Sequence, residues 1–377
     1  MFPLKTEDAA YNKISSMIAT LGDPFTRLVS PKEYQSFRIG SDGNLQGVGL
    51  FIGTEPYSGR LIVLSSVEGS PGARAGIHTG DELVEIDGEP LTGKSGEEAA
   101  QKLRGRVGTS VTIKLRNGGD SVEDPQTREV NLSRETILLS PVSSSIIPHK
   151  TKDGQLMKTG YVRLSAFSQT AAIDMENVII ALEDQDVHSY ILDLRNNPGG
   201  LVKAGLDVAQ IWLDGNETLV NTIDRDGNML PINMINGRAL TRDPLVVLVN
   251  EGSASASEIL AGALHDNGRA KLVGHKTFGK GKIQSVTELD DGSALFVTVA
   301  KYISPAMHDI DQVGILPDVQ CMADKLSPAK MDSNLEKPVR SGATNDSDPA
   351  SSLEKDSCIM VAEDELDLER SSKGTPS

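Results

Sequence analysis

The sequence predicts an α/β core that carries an inserted, small β-barrel-like domain and a short N-terminal helical region. Three observations predict it. Residues 190–194 and 245–250 are continuous apolar runs of the kind expected for strands covered on both faces. Strand and helix patterns alternate between residues 155 and 325. Between Gly47 and about Gly118 the pattern changes to short β runs punctuated by glycine. At 377 residues the chain exceeds one compact unit and calls for two or three domains plus tails.

Taken in order, Ala10, Ile14, Met17, Ile18 and Leu21 recur at helical spacing up to the breaker Gly22-Asp23-Pro24, and a second short helix centres on Glu33. A helix pair of this size cannot bury its own apolar face, so it is expected to dock on something larger. The β runs follow at 48–53, 61–66, 82–86 and 111–115, with one helix at 95–103, and 135–148 reads as an extended connector. In the core, helices are expected at 171–183, 202–213 and 256–266. Strands are expected at 271–274, 283–288 and 294–302, the last two joined by the hairpin signature Asp291-Gly292. Past Leu326 the periodicity ends and charged and small polar residues dominate, the composition of a disordered tail.

Net charge is −16, which argues against sequence-independent nucleic-acid binding and against an anionic membrane surface, since both need clustered Lys and Arg. Part of the excess sits in the tail, at Glu363, Asp364, Glu365, Asp367 and Glu369. Cys321 and Cys358 have no neighbour at metal-ligand or redox spacing, nothing in the sequence requires them to pair, and they are expected as free thiols. No apolar run reaches the length of a membrane span, and no signal or transit segment opens the chain, so the compartment is not readable directly.

Gly47-Val48-Gly49-Leu50-Phe51 is followed by Ser70-Pro71-Gly72-Ala73-Arg74-Ala75-Gly76-Ile77 and by Gly80-Asp81-Glu82-Leu83-Val84-Glu85-Ile86-Asp87-Gly88. This ordered trio resembles a PDZ domain. Consecutive N–H groups in a glycine-containing loop form a nest for a carboxylate, and an adjacent strand edge pairs with an extended peptide. Gly47, Val48, Gly49 and Leu50 are therefore the candidate site for a substrate C-terminus.

Three further blocks lie downstream: Leu192-Asp193-Leu194-Arg195-Asn196-Asn197-Pro198-Gly199-Gly200, Asn250-Glu251-Gly252-Ser253-Ala254-Ser255-Ala256-Ser257-Glu258 and Thr277-Phe278-Gly279-Lys280-Gly281-Lys282-Ile283-Gln284. In this order after a PDZ-like domain they resemble the carboxyl-terminal processing serine protease family. The likeness is greatest to the plant and cyanobacterial branch, whose members trim the precursor of a photosystem II reaction-centre protein. The resemblance implies a crotonase-like or ClpP-like α/β core, with Ser255 as nucleophile, Lys280 as general base and Gln284 orienting the lysine. It places the oxyanion hole at the backbone N–H groups of Gly200 and Ala256. It also implies a protein or peptide substrate with a free C-terminus, no cofactor, and a thylakoid-lumen location; separately, the scattered acidic residues show no metal-ligand pattern and no metal is expected. The N-terminal helical region is shorter than the family's, and the tail longer and more acidic. The domains then run 1–40 for the helical region, 41–135 for the PDZ domain, 136–325 for the protease core and 326–377 for the tail. The protein is expected to be a monomer that meets a membrane only through its substrate.

The residue types suit that chemistry. A serine hydroxyl needs a positioned base, and lysine serves only when desolvation or a nearby cation lowers its pKa. Phe278, Ile283 and Val286, with no acidic residue between Gly274 and Val286, fit such a lysine. Ser255 and Glu258 also form a Ser-x-x-Glu capping box, so the N–H of Ala256 would face a developing oxyanion. Taken alone, Ser255 reads as an N-cap, Lys280 as a loop lysine and Gly199-Gly200 as a turn; the flanking motifs change those readings. Asp266 lies about three turns along the same helix, roughly 16 Å away, and is expected to position the helix end. Arg195 is expected to pair structurally with a carboxylate. Among the histidines His265 is near in sequence but at the far end of that helix, and no Gly-x-Ser-x-Gly elbow surrounds Ser255. Two rivals stand: a catalytically silent PDZ adaptor that binds C-termini, and an acyl-CoA enzyme of the crotonase type, in which a PDZ domain has no evident use.

Overall fold

The computed structural model describes residues 6–55, 58–117, 127–150, 154, 156–321, 353 and 355–373. The chain divides into two compact units, Gly43–Leu139 and the remainder, Met1–Asp42 with Ser140–Ser377. The larger unit opens with α1 (Glu7–Ala19), β1 (Arg27–Val29) and α2 (Pro31–Asp42). The smaller unit contains β2 (Asn44–Gly47), β3 (Leu50–Thr54), β4 (Leu61–Ser66), α3 (Pro71–Arg74), β5 (Glu82–Ile86), β6 (Glu89–Pro90), α4 (Gly96–Leu103), β7 (Ser110–Arg116), β8 (Thr127–Ser133) and β9 (Glu135–Leu138). The larger unit resumes with β10 (Val142–Lys150), β11 (Leu156–Leu164), α5 (Ala171–Glu183), β12 (Tyr190–Asp193), α6 (Val202–Trp212), β13 (Thr218–Asp224), β14 (Met229–Asn233) and β15 (Leu245–Val249). It closes with α7 (Ala256–Asp266), β16 (Lys271–Gly274), β17 (Lys282–Glu288), β18 (Ala294–Ile303), β19 (Val319–Gln320) and α8 (Ser357–Lys373).

The smaller unit is a sheet in the order β3-β4-β5-β7-β8, with β6 on β5, and β2 pairs separately with β9. Alternation decides its core: along β7, Val111, Ile113 and Leu115 point inward and are buried while the residues between them are not. Helix α4 adds Ala99 and Leu103 to that core, and Ser95 caps it through the Glu98 amide at 3.2 Å.

The larger unit is built on a sheet in the order β10-β11-β12-β15-β16-β19, antiparallel at β10/β11 and parallel from β11 onward. Both β12 and β15 are buried along their whole length, because each face of the sheet is covered. Helices α5, α6 and α7 pack on one face, where Met175, Ile179, Val208, Trp212, Leu260 and Leu264 are buried. A second sheet, β1-β18-β13-β14 with β17 on β18, completes the unit.

The other face carries what the sequence reading missed. The tail was expected to be disordered, and part of that expectation, residues 326–352, lies outside the described residues. Residues 357–373, however, form α8, whose Cys358, Ile359, Ala362 and Leu366 are buried against Ile191, Val246, Leu248 and Val273. Charge concealed this: Glu363, Asp364, Glu365, Asp367 and Glu369 are interleaved with a narrow apolar stripe. The expectation of free thiols is likewise overturned, since Cys321 after β19 and Cys358 in α8 form a disulfide across a separation of 37. No spacing rule announces a pair that only the docking of α8 brings together. Arg195 Nη1 meets Asp356 Oδ2 at 2.8 Å just before the helix and Lys271 meets Glu365 at 2.6 Å near its middle, adding polar fixation.

At the other end of the chain, Ile14 and Met17 of α1 and Leu21 beyond it are exposed while Ala10 and Ile18 are half-buried, so the expected apolar stripe docks only in part. Tyr11 ties the helix to Asp291 at 2.7 Å.

Replacing Cys358 with Ser, or adding reductant, should cost about 2–4 kcal/mol through the freed loop. Thermal or urea denaturation with and without reductant measures it; an unchanged midpoint would mean that apolar burial alone holds α8.

Candidate active site

Parallel sheets place ligand sites beyond the carboxyl ends of their strands, and here two adjacent strands, β12 and β15, deliver the loops that matter. The loop after β12 carries Gly199 and Gly200 into α6; the loop after β15 carries Ser255 into α7. Buried Asn197 locks them together. Its carbonyl accepts from Ala254 N at 3.0 Å and Ser257 Oγ at 2.9 Å, and its amide donates to Leu164 O at 2.8 Å. Asn196 and Asn250 add a reciprocal pair, Asn196 N to Asn250 Oδ1 at 2.8 Å and Asn250 Nδ2 to Asn196 Oδ1 at 3.0 Å.

Ser255 occupies φ +56°, ψ −115°, a conformation that L-residues rarely adopt. The turn thus does the work of an elbow without the Gly-x-Ser-x-Gly sequence. Close approach explains the glycines opposite: a Cβ on Gly199 would lie 2.7 Å from Ala254 O and 2.8 Å from Ser255 Cβ, and one on Gly200 only 2.4 Å from Phe167 O. Gly199 N donates to Asn197 Oδ1 and Leu201 N to Phe167 O, whereas the N–H groups of Gly200 and Ala256 have no acceptor among the described residues. Two unsatisfied amides beside one serine are what a developing oxyanion requires.

The residue that organises the site is Glu258, fully buried. Its Oε2 accepts from Ser255 N and Lys280 N, both at 2.9 Å, and its Oε1 from Gly279 N at 2.7 Å and Thr277 Oγ1 at 2.6 Å. The capping box visible in the sequence is therefore one part of a larger device that fixes the backbones of both Ser255 and Lys280. Tyr302, buried on β18, assists: its hydroxyl lies 3.1 Å from the Ser255 carbonyl and also meets the Lys280 carbonyl.

Ser255, Lys280, Gln284 and Gly200 line one cleft of ≈ 460 Å³. Burial lowers the pKa of Lys280, and the Arg27 guanidinium lowers it further, with Glu258 opposing. The surroundings differ in part from those expected. Ile283 and Val286 do line the cleft, but Phe278 is 58 % exposed, and the ring against Lys280 is that of Phe25, 5.3 Å from Nζ to centroid. An acidic residue is also near, although Glu258 is occupied by backbone donors. Gln284 Nε2 donates to the Phe25 carbonyl, and among the described residues no hydrogen bond joins Gln284 to Lys280.

That segment was invisible as a functional element. Asp23 accepts from Thr26 N at 3.1 Å and Thr26 Oγ1 at 2.6 Å, and Thr26 Oγ1 accepts from Thr298 N at 3.1 Å. The Asp-x-x-Thr turn after Gly22 was the available signal; only the pairing of β1 with β18 reveals that it brings Phe25 and Arg27 to the site.

The remaining expectations concern residues outside the chemistry. Asp266 accepts from Ser304 Oγ and from Ala306 N at 2.8 Å, securing the end of α7. Arg195 pairs with buried Asp193 at 2.7 Å. His265 sits 2.8 Å from Asp266 and 3.2 Å from Asp318; the Asp266 hydrogen bond leads in pushing its pKa up to about 9, and a protonated imidazole is no base for Ser255.

In the smaller unit, Gly47, Val48, Gly49 and Leu50 line a separate groove of ≈ 210 Å³ between the edge strand β3 and α4. Gly49 has φ +73°, and a Cβ there would fall 2.3 Å from Ser70 Cβ. The Val48 carbonyl accepts from Gly72 N at 2.9 Å and that of Gly49 from Val67 N at 2.8 Å, fixing the loop from behind.

Comparison with known proteins agrees with this architecture. The Peptidase family S41 profile matches residues 158–321 and a PDZ domain profile matches residues 62–117. The chain is 69 % identical over 380 residues to "Carboxyl-terminal-processing peptidase 3, chloroplastic" of Arabidopsis thaliana, covering 100 % of this chain and 71 % of that one. It is 45 % identical over 334 residues to the "Carboxyl-terminal-processing protease" of a Picosynechococcus strain, covering 88 % of this chain and 77 % of that one. A solved structure, "Photosystem II D1 C-terminal processing protease", is 37 % identical with a TM-score of 0.49, over 84 % of this chain and 83 % of that chain. The chain belongs to peptidase family S41, among its carboxyl-terminal-processing peptidases, and carries a PDZ domain.

Proposed function

We propose that the protein is a serine endopeptidase that cuts near the C-terminus of protein substrates through a Ser255/Lys280 dyad. The observation that carries this reading is the convergence on one cleft of a conformationally strained serine, a lysine of lowered pKa and the acceptor-free amide of Gly200, with that of Ala256 next along the chain from the serine. Neutral Lys280 takes the Ser255 proton as Oγ attacks the scissile carbonyl. The oxyanion forms toward the N–H groups of Gly200 and Ala256. Lysine then returns the proton to the leaving amine, and the acyl-enzyme is hydrolysed by water activated in the same way. Gln284 steadies the Phe25 carbonyl, and with it the ring against Lys280. The groove at Gly47, Val48, Gly49 and Leu50 receives the substrate's C-terminal carboxylate, with the peptide added to the edge of β3.

The likeness of the three motif blocks to the plant and cyanobacterial branch supports a photosystem II reaction-centre precursor as substrate. The same likeness, and the chloroplastic relative, support the thylakoid lumen as location. The acidic net charge supports a monomer that meets the membrane only through that substrate.

C-terminally extended peptides, incubated with the protein and mapped by mass spectrometry, test the reading. Ser255→Ala and Lys280→Ala should each lower kcat by roughly 10³-fold or more while leaving the circular dichroism spectrum unchanged. Normal processing by Lys280→Ala would exclude the dyad, and a bound but uncut peptide would leave a PDZ adaptor.

The pH profile has a defined sign. Only neutral lysine is a base, so kcat/KM should rise with pH to a plateau, with the acid limb at the lowered pKa of Lys280 rather than in the ordinary lysine range. Arg27→Gln removes one cause of that lowering and should move the limb to higher pH.

Glu258→Gln keeps the shape of the side chain but turns an acceptor into a donor facing N–H groups. It should cost about 2–3 kcal/mol of stability and lower kcat far more than it changes KM. Steady-state kinetics and denaturation measure both; wild-type kcat would show that the network is dispensable.

A further inference from the structure

The cleft around Ser255 differs in charge from the rest of the molecule. The chain carries a net charge of −16, yet the described residues lining the cleft include Arg27, Lys280 and Lys282 and no Asp or Glu. These three cations are not equivalent. Lys282 is already paired, 3.3 Å from Asp311. Lys280 acts as a base only when neutral. Arg27 is a permanent cation, exposed at the cleft; Glu33 feels its charge but forms no ion pair with it, and its guanidinium sits over the Phe296 ring, 5.6 Å from the centroid.

Its placement is firm. Arg27 lies on β1, opposite Phe296 of β18 in register, so both the backbone and the stacked side chain are fixed from the same strand. A planar fork of donors, desolvated on one face by an aromatic ring and open on the other, is suited to carboxylate recognition. The open face of the guanidinium borders the cleft beside Ser255 and Lys280, where a carboxylate of a bound peptide has access to it.

We infer that Arg27 is a specificity-determining residue, a carboxylate subsite that selects peptides carrying a negative charge close to the scissile bond. This rests on the proposed role of the cleft in peptide cleavage. The carboxylate comes from an acidic side chain or from the substrate's own terminus. A side-chain source would make the subsite a reader of acidic sequence; a terminal source would make it a gauge of how short the leaving peptide is.

The test uses the full chain and one cleavable parent peptide. In one arm Glu is placed at each position flanking the cut and compared with Gln; in the other a free C-terminal acid is compared with its amide. Wild type, Arg27→Gln, Arg27→Lys and Ser255→Ala are assayed at a pH above the acid limb of each active variant. The expected result is that wild type prefers the carboxylate form by about 10- to 100-fold in kcat/KM, mostly through KM, in one of the two arms. Arg27→Gln should bring that ratio close to one, and Arg27→Lys should restore part of it. The arm in which the ratio collapses identifies the source. A preference that survives Arg27→Gln, as it would if the PDZ groove alone reads the terminus, overturns the inference, as does cleavage by wild type with no preference in either arm. Failure of wild type to cut any peptide, indistinguishable from Ser255→Ala, would instead bring down the protease reading and this inference with it.

Discussion

One buried carboxylate holds the catalytic geometry together. Glu258 has no access to water, and its two oxygens are distributed over four donors drawn from two separate stretches of chain. A carboxylate can only accept, and the N–H groups of Ser255, Gly279 and Lys280 can only donate, so the chemistry of the groups admits one arrangement. Tyr302 provides the complementary link, a hydroxyl against the carbonyls of the same two residues. The serine and the lysine are therefore registered to one another through their backbones, which leaves both side chains available to a substrate.

Everything else in the larger unit supplies rigidity to that registration. Two adjacent parallel strands, buried on both faces, set the origins of the loops, and Asn197 fixes the distance between them. The three-helix side of the sheet carries α7, on which Glu258 rides. The other side is closed by α8, tied down by apolar burial, by the Cys321–Cys358 disulfide and by the Asp356–Arg195 ion pair. Through Asp193 and Arg195 that pair reaches the start of the loop that carries Gly199 and Gly200, so α8 belongs mechanically to the core rather than to the solvent.

How much of this was legible depended on the range of the interaction. Bounds of α5, α7 and β16 could be read from local apolar patterning, and the Ser255 turn from its capping box. Glu258 was read as half of that box, because nothing local tells a carboxylate that it will also meet Thr277, Gly279 and Lys280. Phe25 and Arg27 reach the cleft only because β1 pairs with a strand some 270 residues later, in the register Arg27 to Phe296. Helix α8 was hidden by its own charge, and the disulfide by its dependence on α8. The apolar stripe of α1 misled in part in the opposite direction, since helical periodicity states which residues could be buried and not that something buries every one of them. The likeness of motif blocks pointed to candidate residues for the chemistry; it did not point to Glu258 or Tyr302, which fix the backbones of Ser255 and Lys280.

The backbone of Ser255 has a consequence for how such a protein tolerates change. A non-glycine residue held at φ +56°, ψ −115° carries strain on the order of 1–3 kcal/mol, and the rest of the fold absorbs it for the sake of one hydroxyl. Glycine at that position would relax the turn and remove the proposed nucleophile in the same stroke. Loss of the hydroxyl at residue 255 is thus favoured by the folding equilibrium itself, so the turn keeps its serine against a standing gain in stability from glycine.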